Sequence, residues 1–486
     1  MASEITIVGL GPGPASGITL EARRAIDSAP LLFLRTSQHP AAQEIAAGRS
    51  CHSFDDAYAA HPTFDEVYQE IVDRLIESAR RGTNVVYGVP GDPMVGEATT
   101  PALRAAAGEL GIAVRIVHAP SFIEPCLELV GRDALDGLQV ADGMAIARGH
   151  FPALSPDRPA LVGQVFSRLV ASEVKLTLLA QYPPDHVVLV LEAAGSPEAR
   201  ADSLPLSELD RLDRFSHTTS VFVPALPRSS SFESLQETIA HLRAPDGCPW
   251  DREQTHESLR PHLLEETYET LEAIDSGDAA ALKEELGDLL LQIVLQAQIS
   301  SEESDFGMAE VIAHISDKLV RRHPHVFGDL VVTDVDEVLH NWEGLKEEER
   351  KRAGAGRGAL DGVPDALPAL AQALEIQSRA ARLGFDWRSV DGVRTKLDEE
   401  LAELQGARDA LDREAEVGDL LFAAVNYARW IGVDSEAALR GSNRRFRRRF
   451  SHMEVAASGA ERSLREMTAE ELDALWEQAK HKEDRA

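Results

Sequence analysis

Two stretches of the chain share one carboxylate pattern: EETYE at 265–269 followed by ELGD at 285–288, and EELAE at 399–403 followed by EVGD at 416–419. Residues three and four apart on a helix share a face, so each copy places acidic side chains on two successive helices. If those helices pack antiparallel, the carboxylates converge, and they cannot all stay ionised without a cation. The pattern therefore predicts a metal site of the oxygen-rich type that Mg²⁺ prefers, made twice.

The first copy predicts a helical hairpin. Residues 258–274 have the pattern of one helix, 276–278 (Ser-Gly-Asp) that of a turn, and 279–300 that of a second helix with a leucine-rich side. From residue 232 onward the chain is almost wholly helical in pattern, and a glycine-rich stretch at 353–364 divides it into two similar halves. We therefore interpret this region as an internal repeat.

Two further features recur in the same order in both halves. A basic run follows each carboxylate pattern (SDKLVRRH at 316–323, NRRFRRRF at 443–450), and a WExxK element follows each basic run (342–346 and 476–480). Metal ions held by the carboxylates could bracket a phosphoanhydride, the basic helix could neutralise the outer phosphates, and the tryptophan could stack on a base. This combination predicts hydrolysis of a nucleoside triphosphate, although a single acidic helix pair would most simply be surface charge.

The motifs resemble those of the MazG nucleoside triphosphate pyrophosphohydrolases over about residues 232–486. The first half carries DGCPWDREQT (246–255), LLEETYE (263–269), EELGDLL (284–290), SDKLVRRHPHVFG (316–328) and NWEGLK (341–346); the second carries RLGFDW (382–387), EELAELQ (399–405) and EVGDLLFAAVNYAR (416–429). The resemblance implies an all-α fold assembled as a homodimer. It also implies Mg²⁺-dependent cleavage between the α- and β-phosphates, giving a nucleoside monophosphate and pyrophosphate.

The resemblance also implies roles for individual residues, in equivalent sets for the two copies. The implied metal ligands are Glu266, Glu269, Glu285 and Asp288 in the first copy, and Glu400, Glu403, Glu416 and Asp419 in the second. The implied nucleotide contacts are Lys318, Arg322, Trp342 and Lys346 in the first, and Arg445, Arg449, Trp476 and Lys480 in the second. We assign the catalytic position to Glu265 and Glu399, the first carboxylate of each copy.

The second copy departs from the family in two places. Arg445 stands where a lysine is usual, and a planar guanidinium is not equivalent to an ammonium. The second copy also lacks a CPWD-like segment. Whether both copies are active stays open at this point.

Residues 1–225 alternate strand and helix patterns, which predicts an α/β domain. Runs at 5–9, 31–34, 84–88, 114–118, 144–147, 160–162, 174–179 and 187–191 predict strands. Three glycine- or proline-rich segments follow predicted strands: GLGPG at 9–13, GVPGDP at 88–93 and APSFIEP at 119–125. Loops after strands are where open α/β sheets bind ligands.

These segments resemble the tetrapyrrole methylases, and the fusion resembles the YabN–MazG type. The resemblance implies a pocket for S-adenosylmethionine (SAM) lined by Gly9, Gly11, Gly13, Gly91, Asp92 and Pro93. The continuation GDPMVGEATT (91–100) departs from the usual loop. Methyl transfer and a structural or regulatory remnant that binds a nucleotide-like ligand both stay open.

Composition bounds the remaining possibilities. The net charge of −32 argues against a general nucleic-acid binder, and no apolar run is long enough to span a bilayer. Three widely spaced cysteines indicate a reducing cytoplasm rather than a disulfide framework. We expect three domains, at 1–225, 226–352 and 365–486.

The main expectation is Mg²⁺-dependent hydrolysis of nucleoside triphosphates that cleans the nucleotide pool. One rival takes the chain as mainly a SAM-dependent methyltransferase whose helical half serves assembly. Another takes the helices as an interaction scaffold.

Overall fold

The computed structural model describes residues 4–335, 337, 338, 341, 342, 344, 358 and 360–483, which form two compact units. The first unit ends at Ile315 and consists of an α/β part followed by helices; the second begins at Ser316 and is helical. The predicted fold class is therefore confirmed. The domain boundaries at 225, 226, 352 and 365 stay predictions, and residue 352 lies outside the described residues. No helix in the described part of the chain is long and apolar enough to cross a membrane.

The first sheet is parallel, with strand order β3-β2-β4-β1-β5. Its strands are β1 (Glu4–Gly9), β2 (Leu31–Leu34), β3 (Cys51–Ser53), β4 (Val85–Val89) and β5 (Ala113–Val117). Ile5 and Ile7 of β1 face one apolar cluster and Val8 faces another, because a central parallel strand is covered on both sides. The flanking helices are α1 (Leu20–Asp27), α2 (Ala42–Ala46), α3 (Asp55–Ala60), α4 (Phe64–Arg80) and α5 (Thr99–Glu109).

The second sheet is mixed, with strand order β6-β7-β10-β8-β9. Its first two strands pair in parallel and the other pairs are antiparallel. The strands are β6 (Gln139–Asp142), β7 (Ala160–Gly163), β8 (Val187–Glu192), β9 (Arg200–Pro205) and β10 (Thr219–Val223). Helices α6 (Ile123–Val130), α7 (Gly143–Ala147) and α8 (Arg168–Leu178) accompany this sheet.

Two predicted strands are wrong, because residues 144–147 lie in α7 and residues 174–178 lie in α8. Local capping explains both. The side chain of Asp142 accepts a hydrogen bond from the amide of Met144, and that of Ser167 accepts one from Val170, so each segment begins as a helix. In α8 the buried apolar residues also recur at helical spacing.

The first unit ends in a helical hairpin that matches the prediction for residues 258–300. It follows α9 (Phe232–Arg243) and α10 (Pro249–Glu253) and consists of α11 (Arg260–Ser276) and α12 (Ala279–Glu302). Gly277, in the left-handed region at φ 71°, ends α11, and Asp278 caps α12 by accepting from the amides of Ala280 and Ala281. The next helix, α13 (Met308–Arg322), extends from the first unit into the second, where α14 (Pro324–Phe327) follows.

The second unit contains a second hairpin of the same kind. Its later helices are α15 (Ala369–Arg382), α16 (Val390–Gly406), α17 (Ala410–Trp430), α18 (Ser435–Gly459) and α19 (Ala469–Glu483). Asp409 caps α17 and Asp434 caps α18 through their carboxylates. Helices α16 and α17 pack against each other as α11 and α12 do, which brings the two carboxylate patterns into equivalent settings.

The connection between the α/β part and α9 is anchored rather than free. Asp157 accepts hydrogen bonds from the amides of Ser230 (2.6 Å) and Ser231 (3.1 Å), and Ser231 caps α9. Burial of Asp157 opposes its ionisation, but the hydrogen bonds from Ser231 and Ser234 outweigh this and lower its pKa to about 2. The carboxylate therefore holds this connection at neutral pH.

Replacing Asp157 by alanine is expected to speed proteolysis between residues 224 and 231 by about 5-fold, because losing hydrogen bonds of this kind costs about 1 kcal/mol of local stability. Limited proteolysis with mass spectrometry measures the rate. Asp136→Ala, at an exposed site in the same part of the chain, is the control. Equal cleavage of both variants would refute the anchoring role.

Candidate functional site

The hairpin of α11 and α12 gathers three carboxylates. One oxygen from each of Glu266, Glu285 and Asp288 lies within 4.8 Å of the other two. Glu285 and Asp288 are three residues apart on α12, and Glu266 faces them from α11. This is the convergence that the sequence spacing predicts.

The hairpin of α16 and α17 repeats the arrangement. Oxygens of Glu400, Glu416 and Asp419 again lie within 4.8 Å of one another, and Glu400 is only 5% exposed. One carboxylate oxygen of Glu416, Oε2, is buried and has no hydrogen-bond partner among the described residues. A buried anionic oxygen without a partner is costly, and a cation or a proton would relieve that cost.

In both clusters, crowding of the carboxylates changes the pKa values of some of these groups. Loss of water contact and the nearby charges of Asp288 and Glu269 raise the pKa of Glu266, and similar causes raise that of Glu285. Loss of water contact and the charge of Glu403 raise the pKa of Glu416. The donor sets consist of carboxylate oxygens alone, which fits a hard divalent cation such as Mg²⁺.

The other predicted acidic residues surround these clusters. Glu269 and Glu403 lie outside the sets of three but add charge to them. Glu265 lies 3.7 Å from Nδ1 of His262, and Glu399 lies 2.9 Å from Nζ of Lys396. The catalytic assignment of Glu265 and Glu399 stays a prediction.

Removing Mg²⁺ is expected to lower the unfolding temperature more at about pH 7.5 than at about pH 5. The raised pKa values of Glu266, Glu285 and Glu416 mean that protons stabilise the cation-free fold at low pH. That stability is present below the unfolded-state pKa and is lost as pH rises through the raised folded-state pKa, where a cation takes over. Calorimetry with Mg²⁺ or EDTA at both pH values measures the difference. A Mg²⁺ effect that does not grow with pH would contradict it.

A cavity of about 730 Å³, the second-copy pocket, lies beside the α16–α17 cluster. Glu400 and Asp419 belong both to the cluster and to the pocket wall. The rest of the wall is largely apolar and aromatic, with a few polar groups, and includes Phe385, Trp387, Phe422, Gln377, Asp386, Asn426, Arg429 and Lys396. Its size and lining suit a small organic ligand whose charged end reaches the carboxylates.

The motif RLGFDW, for which the sequence alone predicts no role, contributes its last four residues to this wall. Asp386 accepts hydrogen bonds from Nη2 of Arg429 (2.6 Å) and from the indole of Trp430 (3.1 Å). Burial opposes ionisation of Asp386, but the hydrogen bond from Arg429 outweighs it and the pKa of Asp386 is lowered. Asp386 therefore fixes the loop that carries Phe385 and Trp387.

Of the predicted nucleotide contacts in the second copy, Arg449 and Trp476 are brought together, with the guanidinium carbon 5.7 Å from the ring centroid. Arg445 donates to Ser442 (2.8 Å) and Lys480 pairs with Glu477 (2.6 Å). In the first copy, Lys318, Arg322 and Trp342 belong to the second unit, whereas the carboxylates of that copy belong to the first. Lys346 lies outside the described residues.

The glycines predicted in the α/β part meet at a close approach of the backbone. Gly11 and Gly91 pair through their main chains at φ values of 72° and 64°. A Cβ on Gly9 would lie 2.6 Å from the carbonyl oxygen of Gly91, and one on Gly13 would lie 2.5 Å from that of Gly195. Only glycine allows these contacts.

A cavity of about 200 Å³ lies beside this glycine contact. Its wall includes Gly91, Thr36, Phe122, Gln164 and Ser220. Gln164 (φ 59°) is held in the left-handed region, which non-glycine residues adopt only at a cost in free energy.

The polar main chain and hydroxyls of this cavity fit a nucleoside-like ligand such as SAM. The carboxylate of Asp92, by contrast, is already bound within the protein, because it accepts hydrogen bonds from the amide of Met94 (2.8 Å) and from His118 (2.9 Å). The Cδ of Pro93 would lie 2.9 Å from a Cβ on Gly9, so Pro93 helps to enforce the glycine contact.

Comparison with known proteins gives matches to both parts. Residues 4–210 match the family model of the tetrapyrrole (corrin/porphyrin) methylases, and residues 254–327 match that of the MazG nucleotide pyrophosphohydrolase domain. The uncharacterized protein YabN of Bacillus subtilis strain 168 is 40% identical over 495 residues, covering 100% of both chains.

Relatives of the C-terminal half carry functional names. The nucleoside triphosphate pyrophosphohydrolase/pyrophosphatase MazG of Thermotoga maritima is 45% identical over 249 residues, which cover 51% of this chain and 95% of that protein. The nucleoside triphosphate pyrophosphohydrolase of Escherichia coli K12 is 45% identical over 262 residues, which cover 52% and 98%. The resemblance inferred from the motifs is confirmed: the chain belongs to the family of YabN, in which a tetrapyrrole methylase domain precedes a MazG region.

Proposed function

We propose that this protein is a Mg²⁺-dependent nucleoside triphosphate pyrophosphohydrolase that cleans the nucleotide pool, and that the second copy of the repeat carries the reaction. One observation supports this most strongly: a carboxylate cluster opens directly into a pocket of substrate size, because Glu400 and Asp419 belong to both. The names of the T. maritima and E. coli relatives support the same activity.

Each group has a defined task in this proposal. Glu400, Glu416 and Asp419 hold Mg²⁺, and Glu403 adds negative charge beside them. Bound Mg²⁺ supplies positive charge to phosphate oxygens and activates water for attack. Phe385 and Trp387 offer aromatic surface for a base.

The basic residues of the second copy complete the phosphate site. Arg445, Arg449 and Lys480 neutralise the outlying phosphates, and Trp476 packs beside Arg449. Because charge on the phosphates spreads as the bond breaks, fixed cations lower the barrier more than they strengthen substrate binding. In the first copy, Glu266, Glu285 and Asp288 offer the same metal ligands, so metal binding is proposed there as well.

The test is a panel of ribo- and deoxyribonucleoside triphosphates incubated with the full chain and Mg²⁺, with products separated by ion-exchange chromatography. The expected products are a nucleoside monophosphate and pyrophosphate. Nucleoside diphosphate and orthophosphate, or no hydrolysis of any triphosphate, would overturn the proposal.

The α/β part supports a second candidate function, the binding of SAM. The supporting observation is the cavity beside the glycine contact, with Gln164 held in the left-handed region at its wall. SAM supplies an electrophilic methyl group when bound. Titration calorimetry of the full chain with SAM is expected to show binding that Gly9→Ala abolishes, because the added Cβ has no room. Absence of binding by the unmodified chain would rule this candidate out.

We also propose that the protein is a homodimer and that it lies in the cytoplasm. Apolar side chains on the hairpin helices are substantially exposed in the single chain, among them Leu286 (49%), Ile293 (42%) and Leu421 (53%). Exposed apolar faces of this kind mark protein–protein contacts. All three cysteines are free, as suits a reducing compartment. Light scattering of the purified chain measures its mass, and a monomer at micromolar concentration would refute the dimer.

A further inference from the structure

Asn426 of α17 is a polar residue in the largely apolar wall of the second-copy pocket. Its Oδ1 accepts two hydrogen bonds from Arg429, one from Nε at 3.0 Å and one from Nη2 at 2.8 Å. A guanidinium can only donate, so exchanging the oxygen and the nitrogen of the amide would place donors against each other. The contacts with Arg429 therefore fix which end of the amide is the oxygen.

The other end of this amide is a donor that the protein does not use. Nδ2 of Asn426 donates to no residue in the part of the chain that the structure describes, and it is not enclosed by protein atoms. Asn426 as a whole is only half-buried. Nδ2 is therefore the end of the amide that a ligand in the pocket can reach.

Asp386 holds this donor in place through Arg429. Its carboxylate accepts from Nη2 of Arg429 at 2.6 Å, and the same guanidinium holds Oδ1 of Asn426. The direction of the amide is thus set before any ligand binds. A group that is already oriented loses little freedom on binding, so its hydrogen bond contributes more to recognition.

The position of Asn426 on α17 relates it to the metal ligands. Asp419, Phe422 and Asn426 are spaced by three and four residues, so they share a face of the helix, and all three line the pocket. Asp419 and Asn426 lie about 10 Å apart along the helix axis. A triphosphate held at the metal ligands therefore extends its sugar and base past Phe422 toward Asn426.

Building on the proposed function, we infer that Asn426 selects nucleotides whose base carries an oxo group where the amino-bearing bases carry an exocyclic amine. An oxo group accepts a hydrogen bond from Nδ2, whereas an amino group places a second donor against it. Sites that hydrogen-bond a substrate group discriminate strongly against analogues that lack it. Deamination turns an amino group into an oxo group, so this selectivity suits an enzyme that removes deaminated nucleotides.

Matched substrate pairs test this inference with the full chain and Mg²⁺. The ratio of kcat/KM for ITP to that for ATP, and for UTP to that for CTP, is expected to be about 10 to 100. Purine riboside triphosphate, which carries hydrogen at the same position, is expected to rank between ITP and ATP. These measurements use the unmodified enzyme and need no variant to fold.

Two variants of Asn426 assign the selectivity to its amide. Asn426→Leu removes the donor and is expected to bring both ratios close to one. Asn426→Asp keeps the size of the side chain and its pairing with Arg429 but replaces the donor by an acceptor, so both ratios are expected to fall below one. A merely structural role would lower all four rates together, and a ratio does not depend on the fraction of folded enzyme.

Gln405→Glu is the matched control. It makes the same change from amide to carboxylate at an exposed residue of α16 that does not line the pocket, and it is expected to keep both ratios.

Equal kcat/KM for the two members of each pair, or ratios unchanged in Asn426→Asp, would overturn the role of Asn426 while leaving the proposed function intact. Failure to hydrolyse any triphosphate would instead overturn the proposed function, and this inference with it.

Discussion

Replacing Glu400 and Glu416 together by glutamine is expected to lower kcat for nucleoside triphosphate hydrolysis by at least about 10³-fold, because the second copy then loses its hold on the cation. Glutamine keeps the size of each side chain but removes the charge that binds metal. Glu400 is nearly fully buried, and Glu416 has a buried oxygen with no hydrogen-bond partner among the described residues, so neither is replaced by a neighbouring surface carboxylate. Initial rates with excess Mg²⁺ measure the effect.

Two further variants are needed to interpret this result. Glu414→Gln changes an exposed glutamate on α17, the helix that carries Glu416. It is expected to leave kcat within about 2-fold, since isolated surface substitutions have small effects. Glu266→Gln with Glu285→Gln makes the equivalent change in the first copy. If the first-copy variant loses activity while Glu400→Gln with Glu416→Gln retains it, the assignment of the reaction to the second copy is wrong.

Replacing Glu97 by alanine is expected to destabilise the α/β part by about 3–5 kcal/mol, because it leaves a buried arginine without its counter-ion. Glu97 pairs with Arg35, and their side chains are 6% and 10% exposed. Burial alone would lower the pKa of Arg35, but the charge of Glu97 outweighs this and the pKa is raised. Arg35 also contacts Tyr58 and lies 4.7 Å from the ring centroid of Tyr68.

Hydrogen exchange of the first sheet measures this loss locally, which matters because a chain of several domains does not unfold in one step. Glu77→Ala breaks the exposed pair with Arg81 and is expected to cost no more than about 0.5 kcal/mol. The double change Arg35→Met with Glu97→Leu is expected to recover most of the stability, since a buried ion pair is often replaceable by apolar packing. Equal protection in Glu97→Ala and Glu77→Ala would show that the buried pair contributes little.

The elements that sequence predicts well are those with one strong physical signal. β1, β2 and β4 are short, mostly apolar runs buried on both faces, and the prediction places each within one residue of its observed bounds. The sequence does not predict β9 (Arg200–Pro205), because this strand is polar and largely solvent-accessible at the edge of its sheet. The strand prediction for 174–179 is wrong because a short apolar stretch has the same pattern in a buried strand and in a buried helix.

The candidate site likewise contains some residues that the sequence predicts and others that it does not predict. The carboxylate clusters follow from spacing on two helices joined by a short turn, so local sequence determines them. Gln377, Asn426 and Arg429 reach the second-copy pocket from α15 and α17, and no spacing rule links residues of separate helices that meet only by packing. The signal that could have found part of this wall is RLGFDW, whose aromatic residues and Asp386 line it.

We propose that the α16–α17 cluster and the adjoining pocket together bind metal and nucleotide. The most direct measurement is a crystal structure of the full chain with Mn²⁺ and an α,β-imido nucleoside triphosphate, with the metal located by anomalous scattering. The expected result is an anomalous peak coordinated by Glu400, Glu416 and Asp419, with the triphosphate beside it and the base in the second-copy pocket. Metal and nucleotide bound away from these three carboxylates would contradict it.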